Sequence, residues 1–182
     1  MKRLQRDGVV LALIEALRGK GSWCGETHVQ KSTYFLQELL QVPLGFDFIL
    51  YKHGPYSFDL SDALEQMRAD RFLTYDPRPY PFGPSLAPDE NGELLRRLFA
   101  KTRARYQERV DFLADEFASK NVAQLERIGT AMYVTLEDPE RTGRDKRAMR
   151  IHKLKPHIPL DVARAAVDEF DSLREAVQEF AA

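Results

Sequence analysis

FDFILYKHGPYSFDLSDALEQMRADRFLTYDPRPYPFGPSLAP, residues 46–88, is the stretch on which the fold turns. Phe46 to Tyr51 is rich in aromatic and branched residues and too short for a stable helix, so it reads as a short strand. Pro55 lacks an amide donor and drives Gly54 out of helical geometry, which makes His53-Gly54-Pro55 a turn. Ser57 is placed as the N-cap of a helix with Asp59 in its first turn and Leu60, Ala63, Leu64 and Met67 on its buried face. Pro77, Pro79, Pro81, Pro84 and Pro88 then exclude helix. They leave Phe72–Tyr75 and Phe82–Ala87 as two short strands around an extended loop.

Upstream, Val10, Leu13, Ile14 and Leu17 recur at helical spacing before Gly19 and Gly21, predicting a first helix near residues 4–18. A second fits Glu26 to Leu40, where Val29, Leu36 and Leu40 are joined by Phe35 and Leu39, and Pro43 and Gly45 end it. Helix, helix, short strand, helix, strand-loop-strand is the order of a winged helix-turn-helix, in which the third helix and the wing usually present the binding surface.

Downstream the chain turns almost wholly helical. Leu95, Leu98, Phe99, Tyr106, Val110, Leu113 and Phe117 keep one face over a single long helix. Another carries Val122, Leu125, Ile128, Met132 and Leu136. Pro139 and Gly143 mark a loop, a basic helix follows over Arg144–Leu154, and Pro156 and Pro159 break the chain again. The last helix has its stripe at Ala163, Ala166, Val167, Phe170, Leu173, Val177 and Phe180. The expected fold is mainly α: a winged-helix-like region with a small β-wing over residues 1–90, packed with a helical bundle over 91–182 as one compact domain.

A chain of 182 residues with 43% hydrophobic and 30% charged residues is globular in composition, which argues against disorder and against a disulfide scaffold. The single Cys24 has no intramolecular partner, and a reducing compartment is expected. The run MKRLQRDGVVLALIEALRGKG imitates a signal peptide at first sight, but Glu15 interrupts the short apolar run and no small-residue cleavage pattern follows. With no apolar stretch long enough for a bilayer, the protein is expected to be cytoplasmic and to have no membrane partner.

Catalytic arrangements are poorly represented. Cys24 and His28 are spaced for a thiolate–imidazole pair, yet no orienting carboxylate accompanies them, and a packed cysteine beside a partly exposed histidine explains them as well. His28, His53, His152 and His157 form no ligand-spaced pair, and no glycine-rich phosphate loop is present. Neither metal nor cofactor is expected. A Cys/His hydrolase stands as the least supported of three functional classes.

Charge is more informative. The 27 Lys+Arg against 28 Asp+Glu give a net charge of -1, without the global basic field common among nucleic-acid binders. Along the chain the charges segregate. Arg96, Arg97, Lys101, Arg103, Arg105 and Arg109 form one basic segment; Arg141, Arg144, Lys146, Arg147, Arg150, Lys153 and Lys155 form a second. Those clusters could track phosphates, and the residues of the second from Arg144 to Lys155 are the nucleic-acid candidates for a DNA-binding regulator. They could equally neutralise the acidic last helix, with its Asp161, Asp168, Glu169, Asp171, Glu175 and Glu179. The presumed recognition helix carries Asp59, Asp62, Glu65 and Asp70 against Arg68, and phosphates would repel it.

The turn from Tyr51 to Ser57 gathers two tyrosines, a lysine and a histidine on a rigid Gly-Pro corner, a composition suited to protein recognition. Tyr51, Lys52, His53, Tyr56 and Ser57, with Asp59, Asp62 and Glu65 of the acidic helix, are the partner-binding candidates.

The run His28-Val29-Gln30-Lys31-Ser32-Thr33-Tyr34-Phe35-Leu36-Gln37, then Phe48 to Tyr51 and His53-Gly54-Pro55-Tyr56-Ser57 with Leu60 and Leu64, resembles the Q-K-x-x-Y-F-L-Q and Y-G-P-Y-S patterns of Panacea-like antitoxin domains. It is similar also to the C-terminal toxin-neutralising domain of DNA ADP-ribosylation antitoxins. The likeness covers roughly residues 26–75, with a looser echo at Lys155-Pro156 and the helix after it. His53 departs from the tyrosine that often stands there. The resemblance implies a mostly helical, winged-helix-like domain that acts by protein–protein contact, without catalysis, in bacterial toxin–antitoxin or phage-defence systems. Its partner would be a protein, such as a toxin encoded nearby.

Overall fold

A computed structural model describes residues 1–79, 83–138 and 143–181. The protein is mainly helical with small two-stranded sheets. Pro81, Phe82, Pro139 and Arg141 lie outside the described residues. The contacts form two compact units, one of residues 1–49 and 56–121, the other of residues 50–55 and 122–182. Among the described residues no helix is long and apolar enough to cross a membrane.

The first unit is built on α1 (Arg3–Gly19). Val9 to Ile14 and Leu17 are buried there. Around it pack α2 (Glu26–Glu38), α4 (Gly92–Leu98) and α5 (Ala100–Phe117), and α3 (Phe58–Ala69) packs on α2. The wing is an antiparallel pair, β3 (Leu73–Asp76) and β4 (Ser85–Pro88), in the register Leu73↔Pro88 to Asp76↔Ser85. It is anchored to the start of α2, because Leu86 N–H donates to the Cys24 carbonyl at 2.8 Å. Helices α4 and α5 belong to this unit.

The structure corrects two expectations here. The long helix predicted after Asn91 is broken at Phe99 (φ -116, ψ 27), where neither glycine nor proline stands. Arg96 and Arg103, one on each side of the break, both donate to the Glu15 carboxylate of α1, at 2.8 and 2.6 Å. Two guanidiniums on one carboxylate make charge-assisted bonds that tie both sides of the break to α1. The predicted strand over Phe46–Tyr51 shrinks to β1 (Ile49–Tyr51), and its partner is β2 (Gly54–Tyr56) inside the expected turn. Lys52 and His53 form the turn, and Gly54, which follows them at φ +88, supplies the left-handed residue that closes a three-residue hairpin connection.

Helix α2 departs from amphipathic design. Every residue from His28 to Leu36 is buried, the polar ones included. Gln30 explains part of this: its amide donates to the Ser57 carbonyl at 2.9 Å and accepts from Ser57 N–H at 3.0 Å. Gln37 makes the same clamp on Phe46, at 2.8 and 2.9 Å. Both glutamines therefore act as surrogate strand neighbours for backbone that no ladder satisfies.

Asp7 of α1 is also buried, with Arg3 at 3.7 Å and Arg6 at 3.9 Å, and Arg6 lies over the Phe46 ring at 4.4 Å. Burial outweighs these cations and pushes the Asp7 carboxyl up to about 6. The folded protein thus holds this proton more tightly than the unfolded chain does. Stability is greatest below the unfolded value near 3.8, falls as pH rises towards 6, and is flat above it. Asp7→Asn is expected to stabilise the fold by on the order of 2 kcal/mol at neutral pH, with the gain vanishing near pH 4. Urea denaturation at the two pH values measures this, and a loss of stability at neutral pH would show that the arginines outweigh desolvation.

The second unit packs α6 (Val122–Glu137), α7 (Arg144–Leu154) and α8 (Leu160–Ala181) against one another. Leu125, Ile128, Met132, Ala148, Ile151, Ala163, Ala166, Val167, Phe170 and Leu173 are buried. Leu136 and Phe180, predicted on buried stripes, are 47% and 40% exposed because they lie in the last turns of their helices. Of the two readings of the second basic segment, pairing within the unit is the one its arginines follow. Arg144 binds Asp168 through two bonds of 2.6 and 2.5 Å, Arg150 binds Glu137 at 2.9 Å, and Arg164 binds Asp145 at 2.7 Å. Arg147, 4% exposed, forks onto Asp171.

Candidate functional site

Within the second unit, the hairpin tip is held from beneath. Lys155, just past α7, donates to the carbonyls of Tyr51 and Lys52. The Glu126 carboxylate of α6 lies 3.9 Å from the same ammonium, 3.1 Å from His157 Nε2 and 3.8 Å from His53 Nδ1. Burial lowers the Lys155 pKa, and Glu126 works against that shift. The tip therefore presents Tyr51, which is 52% exposed, with Lys52 and His53 on a loop whose backbone carbonyls are already engaged. A loop fixed in this way loses little conformational entropy on binding.

The sequence singles out Tyr51, Lys52 and His53 but not Glu126, and it places Lys155 among the nucleic-acid candidates. The structure brings Lys155 and the exposed His157 to Glu126. The signal that connects them is the looser motif echo at Lys155-Pro156.

In the first unit, α3 starts as predicted: Leu60 N–H donates to Ser57 Oγ at 3.2 Å. Ser57 itself is a correction to the candidate list. It is fully buried, its hydroxyl caps α3 and its backbone is clamped by Gln30, so it frames the surface without lying on it. Tyr56 is half-buried, donates its hydroxyl to Glu26 at 3.2 Å and meets Phe58 edge to face at 5.1 Å. Burial raises its pKa. Phe58, which the sequence did not nominate, is 55% exposed.

Beside it Asp59, Asp62 and Glu65 are all exposed. Glu65 accepts from the Tyr75 hydroxyl at 2.8 Å and from Arg68 at 2.5 Å. Asp59 and Asp62 have no ion pair among the described residues. The exposed part of α3 thus joins an aromatic side chain to two uncompensated carboxylates, a combination that attracts cationic groups with apolar stems.

The other candidates fare differently. Cys24 is fully buried, its thiol points at the Ile14 carbonyl at 3.8 Å, and burial pushes it up to about 12. His28, expected to be partly exposed, is 5% exposed; burial depresses it to about 4 against a carbonyl of Phe117, and its Nδ1 meets Ser22 Oγ at 3.2 Å. A neutral thiol and a neutral imidazole bonded elsewhere give no nucleophile–base couple. Among the described residues no group of His, Cys, Asp and Glu is arranged to hold a metal ion.

Of the nucleic-acid candidates, Arg144, Arg147 and Arg150 are engaged by carboxylates and Lys155 by the hairpin. Lys146 and Lys153 are exposed with no ion pair among the described residues. Counterion release scales with the cations free to meet phosphates, and α7 offers few.

No protein-family model matches the sequence, and no curated protein matches it.

Proposed function

We propose that this chain is a non-enzymatic interaction module that captures a basic protein partner and blocks or delivers it, in the manner of the antitoxin domains its motifs resemble. The observation that carries this proposal is the face of α3, where Asp59 and Asp62 stand uncompensated beside the exposed Phe58. The fastened hairpin tip with Tyr51, Lys52 and His53 supports it as a second, pre-organised contact. A DNA-binding role is supported less, since an acidic third helix repels phosphates and the arginines of α7 are neutralised within the unit.

Co-expression with the products of neighbouring genes, followed by affinity measurement on the complex, tests it. The double reversal Asp59→Lys/Asp62→Lys is expected to weaken association at least tenfold, mostly through a slower on-rate, and to remove its salt dependence. Phe58→Ala is expected to act on the off-rate. A chain that binds no neighbouring product, or an affinity that the reversal leaves intact, overturns the proposal.

A further inference from the structure

Most cations of the first unit are accounted for. Arg96 and Arg103 hold Glu15, Arg3 donates to Asp70, and Lys20 meets Asp115. Lys101 and Arg105 of α5 are different: both are exposed, and neither has an ion pair among the described residues. They line one groove of about 340 Å³, together with Gln5 at the start of α1, Pro43 after α2, and Thr102 and Tyr106 of α5. Among the described residues no carboxylate lines it. The volume lies within the range of small-molecule sites.

We propose that this groove binds a phosphate dianion, free or as a small phosphate ester. Each polar group has a part that fits. Arg105 lies over the Tyr106 ring at 5.6 Å, and Tyr106 is 6% exposed, so the guanidinium rests on a fixed platform. Arg109 approaches the same ring at 5.9 Å and adds positive potential. Arginine and lysine are complementary ligands for phosphate, one a planar fork and the other a compact point charge. Gln5 accepts from Lys2 N–H through its carbonyl oxygen at 3.3 Å, which leaves its NH₂ as a neutral donor, and Thr102 supplies a hydroxyl. Pro43 provides an apolar wall for the organic part of an ester. A comparable groove of about 320 Å³ in the second unit sets Arg127 against Asp161 and Glu169 and has no such bias.

The test is an NMR titration of the ¹⁵N-labelled full chain with inorganic phosphate and with ribose 5-phosphate at constant ionic strength. Saturable shifts are expected at Gln5, Thr102 and the Arg105 side chain. Tighter binding of the ester marks an esterified ligand, and equal affinities mark free phosphate. Lys101→Gln and Arg105→Gln are each expected to weaken binding about tenfold. Lys153→Gln, which removes an exposed cation of α7, is expected to leave the affinity unchanged. All three sites are on the surface, and thermal melts confirm that the variants remain folded. Shifts that do not saturate by low-millimolar phosphate, or affinities equal in the wild type and both groove variants, overturn the proposal as diffuse ion binding.

Discussion

Replacing Lys155 by methionine is expected to destabilise the protein by about 3–5 kcal/mol, the usual cost of removing one member of a buried ionic pair. The methionine side chain follows the lysine stem and fills nearly the same space, so packing changes little. What disappears is the ammonium that serves the Tyr51 and Lys52 carbonyls and faces Glu126. The Glu126 side chain is only 10% exposed, and His157 at 3.1 Å and His53 at 3.8 Å are its remaining neighbours. Denaturant unfolding gives the loss, and hydrogen exchange should localise it as faster opening of the hairpin amides. In the double variant with Glu126→Gln the losses should fall short of their sum, because the first substitution already strands the carboxylate. A loss below about 1 kcal/mol would mean that water replaces the ammonium, as it can at exposed pairs. Partner affinity should fall along with hairpin protection, since Tyr51 and Lys52 then lose their fixed presentation.

Gln30→Ala is expected to cost about 3 kcal/mol, the sum of a buried cavity and the Ser57 N–H left without a partner, while the Ser57 carbonyl keeps Ser61 N–H at 3.1 Å. The residue is fully buried, and its amide is the hydrogen-bonding partner of both Ser57 N–H and Ser57 C=O. Gln30→Glu should be nearly as damaging, because a carboxylate can accept from the N–H but can only repel the carbonyl. Gln37 makes an equivalent clamp on Phe46 at a half-buried position, so water can substitute, and Gln37→Ala should cost about 1 kcal/mol. Equal losses for the two alanine variants would contradict the assignment of burial as the difference between them.

These two glutamines also tie the first motif to the backbone that follows it. Gln30 and Gln37 in the first motif bind backbone at Ser57, in the second, and at Phe46, just before the strand. The first motif lies on α2, where every residue from His28 to Leu36 is buried. In the folded protein it is the buried support on which the second motif rests. On the function proposed above, the contact surface is narrower than the motifs, because Tyr51, Phe58, Asp59 and Asp62 are exposed.

Features governed by neighbouring residues were legible in the chain itself. Proline's missing donor, the Ser57 cap, the glycine at φ +88 and the apolar spacings of α1, α5 and α8 each depend on a few adjacent residues. They placed α1, α2 and β3 to within two residues, whereas the second wing strand, expected over Phe82–Ala87, starts at Ser85. The break at Phe99 was not legible, because it is associated with Glu15, more than eighty positions away in sequence, gripping arginines on both sides of the break. The burial of α2 on every face was equally hidden, since hydrophobic periodicity records only apolar groups. Polar side chains enter a core when tertiary partners satisfy their hydrogen bonds.

Charge shows the division most clearly. The sequence by itself determined that acidic and basic groups are segregated along the chain. Only the tertiary structure decided what the segregation means. Coulombic attraction acts through space, and it spends the arginines of α7 on carboxylates of α6 and α8 while leaving Asp59 and Asp62 of α3, and Lys101 and Arg105 of α5, without ion pairs among the described residues.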